Sequence, residues 1–242
     1  MGTTVTPYNT DNSKAAQVEQ MFDNIAPKYD FLNRTLSLGI DVLWRKKAIK
    51  LLGKKNPKQI LDVATGTADL ALEALSLNPD KITGIDISEG MLEFGRVKIA
   101  AKNLQSKIEL IKADSENLPF ANDTFDATMV SFGVRNFEHL DIGLTEILRT
   151  LKSGGTLMVL EFSKPEAFPV KQVYNFYSKN ILPFVGKMIS KDKAAYDYLP
   201  ASVDAFPHGK SFLDILSKNG YKNASQIKLS FGIASIYLAE KN

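Results

Sequence analysis

The sequence predicts an α/β fold in which helices cover a seven-stranded, mostly parallel sheet. From residue 59 onward, five short apolar or β-branched runs alternate with segments of helical period, the pattern of parallel strands joined by crossover helices. Near the C-terminus, two strand-like runs at 221–229 and 233–239 are separated by three residues. This spacing is too short for a crossover helix, so the two runs must form an antiparallel hairpin. The chain has 242 residues, 44% of them hydrophobic, which is enough for one large core.

The predicted elements follow in a regular order. The five parallel strands are expected at 59–64, 81–85, 107–112, 124–132 and 156–162. Helices are expected at 68–77, from Ser88 onward and at 140–151. The Ser88 hydroxyl can cap its helix, and Glu89 lies in the first turn. Residues 14–52 precede the first strand and are predicted to form helices broken near Pro27 and Gly39.

Composition excludes several classes of protein and site. There is no cysteine, and the only two histidines are His139 and His208, so disulfides and Cys/His metal centres are excluded. The count does not exclude Mg²⁺ bound by carboxylates, although no metal is expected. No run reaches the roughly 18 apolar residues of a membrane span, and the N-terminus has no secretory signal, so we expect a cytoplasmic protein. The net charge of +3 is too small to indicate nucleic acid.

One segment of the chain is strongly basic. Between Val42 and Leu61 there are seven lysines and arginines and no acidic residue. Such a run could face anionic lipid headgroups or RNA. The alternative is the solvated face of one helix followed by a polar turn.

The loop after the first strand combines an acid, small residues and a helix start. It reads Asp62-Val63-Ala64-Thr65-Gly66-Thr67-Ala68-Asp69. In open α/β sheets, ligands bind at the carboxyl ends of the strands. Small side chains let backbone N–H groups approach an anion at the helix N-terminus, and Asp62 can bind an ammonium. The loop therefore suits the two ends of an amino acid.

Polar side chains also follow the next strands. Asp86 comes 20 residues after Gly66 and can accept hydrogen bonds from both hydroxyls of a ribose, whereas a 2′-phosphate would be repelled. Asp114 and Ser115 follow the third strand, where they can bind an adenine ring, and Ser131 ends the fourth. No G-x-G-x-x-G, P-loop or G-x-S-x-G motif is present. The pattern predicts an adenosyl amino acid such as S-adenosylmethionine.

Several further segments carry a family resemblance. They are YDFLN at 29–33, LSLG at 36–39, LWR at 43–45, SFGVRN at 131–136, RTLKSGG at 149–155 and LEFSKP at 160–165. From about residue 18 to its end, the chain resembles the C-methyltransferases of menaquinone and ubiquinone biosynthesis, within the class I S-adenosylmethionine-dependent methyltransferases. The motifs YLP at 198–200 and AFP at 205–207 favour the demethylmenaquinol branch.

The resemblance implies the class I methyltransferase fold with a helical lid, S-adenosylmethionine as methyl donor and a polyprenyl quinol as acceptor. The residues it implies as cofactor contacts are Thr67, Asp86, Asp114, Ser115 and Ser131. It also implies that Arg135 and Asn136 face the quinol. Two positions depart from the family pattern: Asp41 stands where histidine is usual, and Ala68 stands where glycine is usual.

On this interpretation the chain is one domain with five parts. They are a disordered tail at 1–13, an N-terminal helical lid at 14–55, a cofactor-binding core at 59–163, a substrate lid insertion at 164–215 and a C-terminal hairpin at 216–242. A polyprenyl substrate also favours contact with the inner face of the membrane, through residues 45–58 and 168–198.

The mechanism requires a quinol carbon that becomes nucleophilic when a neighbouring ring hydroxyl loses its proton. Arg135 keeps its own proton at any usable pH, so it would stabilise the quinolate, or else form a structural ion pair. Asn136 would orient a hydroxyl. The base stays open among water, Asp41, Tyr29 and His208.

Other functions compete with this one. A benzoquinol of the ubiquinone pathway is an alternative acceptor. A nucleic-acid methyltransferase is a rival enzyme, although the [ND]-P-P-[YFW] sequence typical of base-amine methylation is missing after the fourth strand. A non-catalytic protein that senses S-adenosylmethionine is the third alternative.

Overall fold

The computed structural model describes residues 5–8, 10–178 and 193–242, and these form the predicted sheet. The strands are β1 (Gln59–Val63), β2 (Lys81–Asp86), β3 (Ile108–Lys112), β4 (Phe125–Ser131), β5 (Leu151–Phe162), β6 (Lys222–Leu229) and β7 (Ala234–Glu240). Their order across the sheet is β3-β2-β1-β4-β5-β7-β6. Strands β1 to β5 are parallel, and β7 pairs antiparallel with both β5 and β6. The predicted mostly parallel sheet with a C-terminal antiparallel hairpin is confirmed.

Helices flank the sheet and precede it. The described residues contain α1 (Lys14–Ile25), α2 (Tyr29–Leu36), α3 (Ile40–Leu52), α4 (Asp69–Ala74), α5 (Glu89–Ala101), α6 (Leu140–Thr150), α7 (Val170–Phe176), α8 (Lys193–Ala205) and α9 (Lys210–Lys218). As predicted, Gly39 separates α2 from α3; its φ of 75° favours glycine. Ser88 caps α5 by accepting a hydrogen bond from the Met91 N–H at 3.1 Å. No described helix combines the length and the apolar composition of a membrane span.

Alternating side chains of the strands build a core on each face of the sheet. On β1, Ile60 packs on one face in a cluster with Ile49 of α3. Its neighbour Leu61 packs on the other face in a cluster with Ile147 of α6 and Phe212 of α9. Since both faces are covered, the carboxyl ends of the parallel strands remain the accessible edge for a ligand.

Two helices from the expected lid segments belong to this core. In α3, Trp44, Ala48 and Leu52 are buried at intervals of four residues and pack against the sheet, as an amphipathic helix requires. In α9, Phe212 is buried against the opposite face. The cover above the strand ends is therefore formed by α1, α2, the start of α3, α7 and α8. Residues 179–192 of the expected insertion lie outside the described residues.

The prediction of a disordered tail at 1–13 was wrong for the part that the structure describes. The side chain of Gln17 in α1 is buried beneath this segment. Its Nε2 donates to the carbonyl oxygens of Thr10 at 3.2 Å and Asn12 at 2.7 Å, and its Oε1 accepts from the Tyr8 N–H at 3.0 Å. A single buried amide thus satisfies backbone groups that have no secondary structure, which composition alone does not reveal.

Candidate active site

Two cavities lie side by side at the carboxyl ends of the parallel strands. The first, which we call the strand-end cavity, is bordered by the loops that follow β1 to β4 and by α1. The second, which we call the apolar cavity, lies among α1, α2, α3, α7 and α8 and has a volume of about 410 Å³. Four residues line both cavities: Phe22, Tyr29, Phe132 and Asn136. A ligand in one cavity therefore adjoins a ligand in the other.

Five of the seven predicted cofactor residues line the strand-end cavity. They are Gly66, Asp86, Asp114, Ser115 and Ser131. These residues lie at or just after the ends of four neighbouring strands. The sequence could group them because parallel strands end at one edge of a sheet.

The Asp86 carboxylate is fixed by two backbone N–H groups. Gly66 donates to Oδ2 at 2.8 Å, and Ser88 donates to Oδ1 at 2.9 Å. Burial raises the pKa of Asp86 to about 6, although these hydrogen bonds act to lower it. Each carboxylate oxygen retains a lone pair, so Asp86 can accept a further pair of hydrogen bonds from a vicinal diol.

Glycine at position 66 gives the first loop its close approach to the cavity. Gly66 has a φ of 56°, in the left-handed region, and a Cβ there would come within 3.3 Å of the Met91 terminal methyl. An L side chain would strain this backbone and fill the space beside the cavity. The geometry fits a ligand whose anionic end meets backbone N–H groups.

Asp62 lies behind the loop rather than on the cavity surface. Its Oδ2 accepts a hydrogen bond from the Thr65 hydroxyl at 2.6 Å. Its Oδ1 is buried and has no partner among the described residues. Burial, together with the negative charge of Asp86, raises the pKa of Asp62 to about 7. The sequence predicted that Asp62 contacts the ligand directly, but Asp62 does not line this cavity.

Thr67 is also turned away from the strand-end cavity. Its hydroxyl donates to Asp30 Oδ1 at 2.6 Å and accepts from Lys98 Nζ at 2.8 Å. The same ammonium pairs with Asp30 at 2.5 Å and with Asp69 at 2.7 Å. This cluster ties α2 to the first loop through side chains from distant segments. Across the described ranges, no group of three or more His, Asp or Glu side chains could hold a metal ion.

Helix α1, expected from the sequence as part of the N-terminal lid, forms a wall of the strand-end cavity with residues that were not among the predicted cofactor contacts. Ala15, Val18 and Phe22 line the cavity. The helix is fixed to the start of α5, because Asp23 Oδ1 accepts a hydrogen bond from the Ser88 hydroxyl at 2.6 Å. The spacing of these apolar residues signals a buried helix face, but it does not say which surface that face covers.

The apolar cavity has few polar groups in its lining. Its apolar side chains include Met21, Ile25, Leu32, Leu36, Trp44, Phe162, Val173 and Leu199. Its polar side chains include Tyr29, Asp41, Arg135 and Asn136, all four of the predicted catalytic residues. Such a lining suits an apolar ring that carries one or two oxygens.

Arg135 lines the apolar cavity with its charge already paired. Its Nη1 lies 2.7 Å from Glu161 Oε1 and also donates to the Phe132 carbonyl oxygen, and its Nε donates to Ser202 Oγ at 3.2 Å. The Glu161 side chain is fully buried. Burial raises the pKa of Glu161, while Arg135 acts to lower it. The structure thus contains the ion pair that was the structural alternative for Arg135.

Asn136 presents its amide where the cavities meet. Its Oδ1 accepts a hydrogen bond from the Tyr198 hydroxyl at 3.0 Å. Its Nδ2 has no partner among the described residues, so two N–H donors remain for a ligand. Burial raises the pKa of Tyr198 to about 12. The hydroxyl therefore stays protonated and continues to orient the amide.

The three side chains considered as bases differ in position and chemistry. Burial raises the pKa of Tyr29, so its hydroxyl is a hydrogen-bond donor at neutral pH. Asp41 accepts from Ser37 Oγ at 2.6 Å and pairs with Arg45 Nη2 at 2.7 Å. His208 lines neither cavity. Of the three, Asp41 alone places carboxylate oxygens at the apolar cavity.

Comparison with known proteins decides the family. The model of the ubiE/COQ5 methyltransferase family matches residues 10–241. The chain belongs to this family. It is 50% identical over 238 residues to the demethylmenaquinone methyltransferase of Bacteroides fragilis, with 98% of this chain and 97% of the relative covered. It is 44% identical over 230 residues to the ubiquinone/menaquinone biosynthesis C-methyltransferase UbiE of Geotalea daltonii, with 94% and 97% covered.

A solved structure shows the same fold. An S-adenosylmethionine-dependent methyltransferase from Thermotoga maritima superposes with a TM-score of 0.63 at 19% identity, covering 93% of this chain and 99% of that one. The class I methyltransferase fold predicted from the sequence is therefore confirmed. As a ubiE/COQ5 family member, the protein is an S-adenosylmethionine-dependent methyltransferase, and the family resemblance found in the sequence is confirmed over nearly the full chain.

Proposed function

We propose that this ubiE/COQ5 family enzyme transfers a methyl group from S-adenosylmethionine to a ring carbon of demethylmenaquinol. The proposal depends on the junction at Tyr29 and Asn136, where a cavity rich in hydrogen-bonding groups meets an apolar cavity of about 410 Å³. The 50% identity to a demethylmenaquinone methyltransferase favours the naphthoquinol over a benzoquinol.

The strand-end cavity offers a group for each part of the methyl donor. S-Adenosylmethionine, when bound, supplies a sulfonium methyl that is already electrophilic, so orientation is the main task of the protein. Asp86 would accept the two ribose hydroxyls, and the Gly66 loop would bind the carboxylate end through backbone N–H groups. Asp114, whose Oδ1 is held by the Glu116 N–H at 2.9 Å, would bind the adenine amine together with Ser115.

The acceptor ring would be oriented by the amide of Asn136. Its free Nδ2 donors can bind a ring oxygen, and this hydrogen bond strengthens as negative charge develops on that oxygen. Phe22 and Phe132, which line both cavities, provide apolar surfaces beside the ring and keep water away from it. Exclusion of water favours a step in which a phenolate and a cation become neutral.

The proton of the quinol hydroxyl would be taken by Asp41 or by a water molecule beside it. Asp41 is held by two partners, Ser37 and Arg45, so its orientation is fixed before substrate binds. Tyr29 keeps its proton because burial raises its pKa, and it would serve as a hydrogen-bond donor to the ring. This assignment narrows the set of bases that the sequence left open.

Arg135 would act mainly by holding the junction in place. Its pairing with Glu161 neutralises its charge, and its bond to the Phe132 carbonyl fixes the segment that carries Asn136. The quinolate would therefore be stabilised directly by Asn136 and only weakly by the Arg135 charge. The sequence, by contrast, predicted that Arg135 stabilises the quinolate and that Asn136 only orients a hydroxyl.

A polyprenyl acceptor would bring the enzyme to the inner face of the membrane. The expected contact segments, 45–58 and 168–198, are described except for residues 179–192. The described parts include α3, α7 and α8, which border the apolar cavity. A lipid substrate would enter the apolar cavity between these helices.

The proposal is tested by anaerobic turnover with a methyl donor labelled in the methyl group. Reduced demethylmenaquinone, the reduced benzoquinone precursor and tRNA are offered in parallel. We expect label in the naphthoquinone product, with less in the benzoquinone. Transfer to tRNA alone would overturn the proposal, and so would binding of the donor without transfer to any acceptor.

A further inference from the structure

We infer that the exposed face of α3 and the rim of the apolar cavity form one docking surface for an anionic lipid bilayer. This inference rests on the proposed function only for the purpose of docking, which is to deliver a lipid acceptor. Exposure, charge and position of the side chains define this surface independently of the reaction.

The exposed face of α3 carries unpaired positive charge. Leu43, Lys46, Lys47 and Lys50 follow at spacings of three, four and seven residues, so they share one face of the helix. No ion pair or hydrogen bond joins the three lysine side chains to any described residue. By contrast, Lys55 in the following turn pairs with Glu240 at 2.9 Å. The three ammonium groups are therefore available to an external anionic surface.

The opposite face of α3 is fixed in the protein. Trp44 is buried against the sheet, and its Nε1 donates to Ser230 Oγ at 2.9 Å. The buried interior face prevents the helix from rolling. The lysine face consequently has one fixed direction relative to the apolar cavity.

Apolar side chains surround the cavity mouth beside this lysine face. Leu38, Ile40 and Val173 line the apolar cavity and are also 92%, 36% and 65% exposed to solvent. Residues that meet both the cavity and the solvent mark its opening. Leu43, 64% exposed, follows Ile40 by one helical turn and joins the opening to the lysines. Exposed apolar groups of this size, grouped at a cavity mouth, mark an interaction site.

A bilayer with anionic headgroups can bind both the lysine face of α3 and the apolar side chains at the cavity mouth. Basic residues on the polar part of an interfacial helix bind headgroups, while neighbouring apolar side chains enter the acyl boundary. Docking in this orientation brings the opening of the apolar cavity to the hydrocarbon layer. A lipid acceptor can then enter the cavity without crossing water.

The test is co-sedimentation of the full chain with neutral and with anionic phosphatidylglycerol-containing vesicles. Each lysine near such a surface contributes about fivefold to binding, so the triple variant K46Q/K47Q/K50Q should bind anionic vesicles about 100-fold more weakly. Binding of the parent should also fall at high salt. Leu43→Ser should weaken binding to both kinds of vesicle.

A matched control separates the lysine face from net charge. The variant K102Q/K210Q/K222Q removes three exposed lysines elsewhere on the chain that form no ion pair with any described residue, and it should bind vesicles like the parent. Equal losses in the two triple variants would overturn the inference, as would unchanged binding of K46Q/K47Q/K50Q. Retention of RNA by the lysine face, with no vesicle binding, would overturn it in favour of a nucleic-acid contact.

Turnover with a short-tailed, water-soluble quinol distinguishes this inference from the proposed function. The variant K46Q/K47Q/K50Q should keep parental turnover on the soluble acceptor and lose turnover on vesicle-embedded acceptor. If the parent methylates no quinol yet binds anionic vesicles through these lysines, the proposed function fails and the docking surface stands. Loss of soluble turnover in the variant would show that the face serves the site and not the bilayer.

Discussion

The guanidinium of Arg135 and the carboxylate of Glu161 form an ion pair, 2.7 Å between Nη1 and Oε1, at the wall of the apolar cavity. Both side chains are almost completely removed from solvent. The pair holds the turn that carries Asn136 against the end of β5. The charge of Arg135, which the sequence suggested as catalytic, therefore helps to position Asn136.

The first prediction concerns the stability that this pair provides. Glu161→Gln leaves a buried guanidinium without its counter-charge, which typically costs about 3 to 5 kcal/mol in the free energy of unfolding. Denaturant unfolding at neutral pH measures the loss. The control is Glu166→Gln, whose partner Lys228 lies at 3.1 Å with both side chains exposed; it should cost less than about 1 kcal/mol. Similar costs for the two variants would contradict the assigned role.

The second prediction concerns the methyl donor. Asp86→Asn removes a charged acceptor, so the affinity for S-adenosylhomocysteine should fall about 10- to 100-fold in calorimetry. Because the pKa of Asp86 is raised to about 6, affinity of the parent should also weaken as the pH falls below about 6. The variant should lack that dependence. The control is Asp80→Asn, in an exposed turn before β2, which should keep the parental affinity. Parental affinity in Asp86→Asn would show that Asp86 does not bind the ribose.

The third prediction concerns the junction of the cavities. Asn136→Ala removes the donor to the quinol oxygen, so kcat should fall about 100- to 1000-fold, with a much smaller loss of S-adenosylhomocysteine affinity. Tyr198→Phe removes only the hydrogen bond that orients the amide, and its effect on kcat should be smaller. Unchanged turnover by Asn136→Ala would place the acceptor elsewhere.

The fourth prediction concerns proton removal. Asp41→Asn keeps the shape of the side chain but removes its basicity, so kcat should fall about 100-fold or more. Ser37→Ala keeps the carboxylate and removes one of its hydrogen bonds, so it should cost less. The size of the loss in kcat distinguishes the two variants, because only Asp41→Asn removes the carboxylate. Full activity of Asp41→Asn would leave water as the base.

The fifth prediction concerns the buried carboxyl of Asp62 beneath the first loop. The pKa of Asp62 is raised from 3.8 to about 7 by burial, so the folded state holds this proton more tightly than the unfolded chain. Its contribution to stability is present below about pH 4 and is lost as the pH rises through about 7. The ligand-free protein should therefore unfold more easily at about pH 8 than at about pH 5, and Asp62→Asn should reduce that difference. An identical pH profile for the variant would argue against a buried, protonated Asp62.

Much of the fold, and the strand-end part of the site, could be predicted from local patterns. Strand and helix periods fixed the order of elements, and parallel strands place the residues that follow them at one edge. Asp86, Asp114 and Ser131 could thus be grouped without coordinates. The hairpin followed from the short spacing between β6 and β7.

Long-range side-chain contacts could not be predicted in the same way. The sequence gives no reason to join Thr67 to Asp30 and Lys98, or Arg135 to Glu161. These pairs come from segments that meet only when the helices pack on the sheet. Helical spacing in α3 shows an apolar face but not the surface that this face covers, so the whole helix was expected in the lid.

The position of the transferred carbon shows whether the enzyme methylates the quinol ring. Anaerobic turnover of reduced demethylmenaquinone with a ¹³C-methyl donor, followed by ¹³C NMR of the extracted product, distinguishes carbon methylation from oxygen methylation. A single labelled methyl bonded to a ring carbon is the result that this account requires. A labelled methoxy signal would contradict it, as would labelled donor recovered intact beside an unmodified quinol.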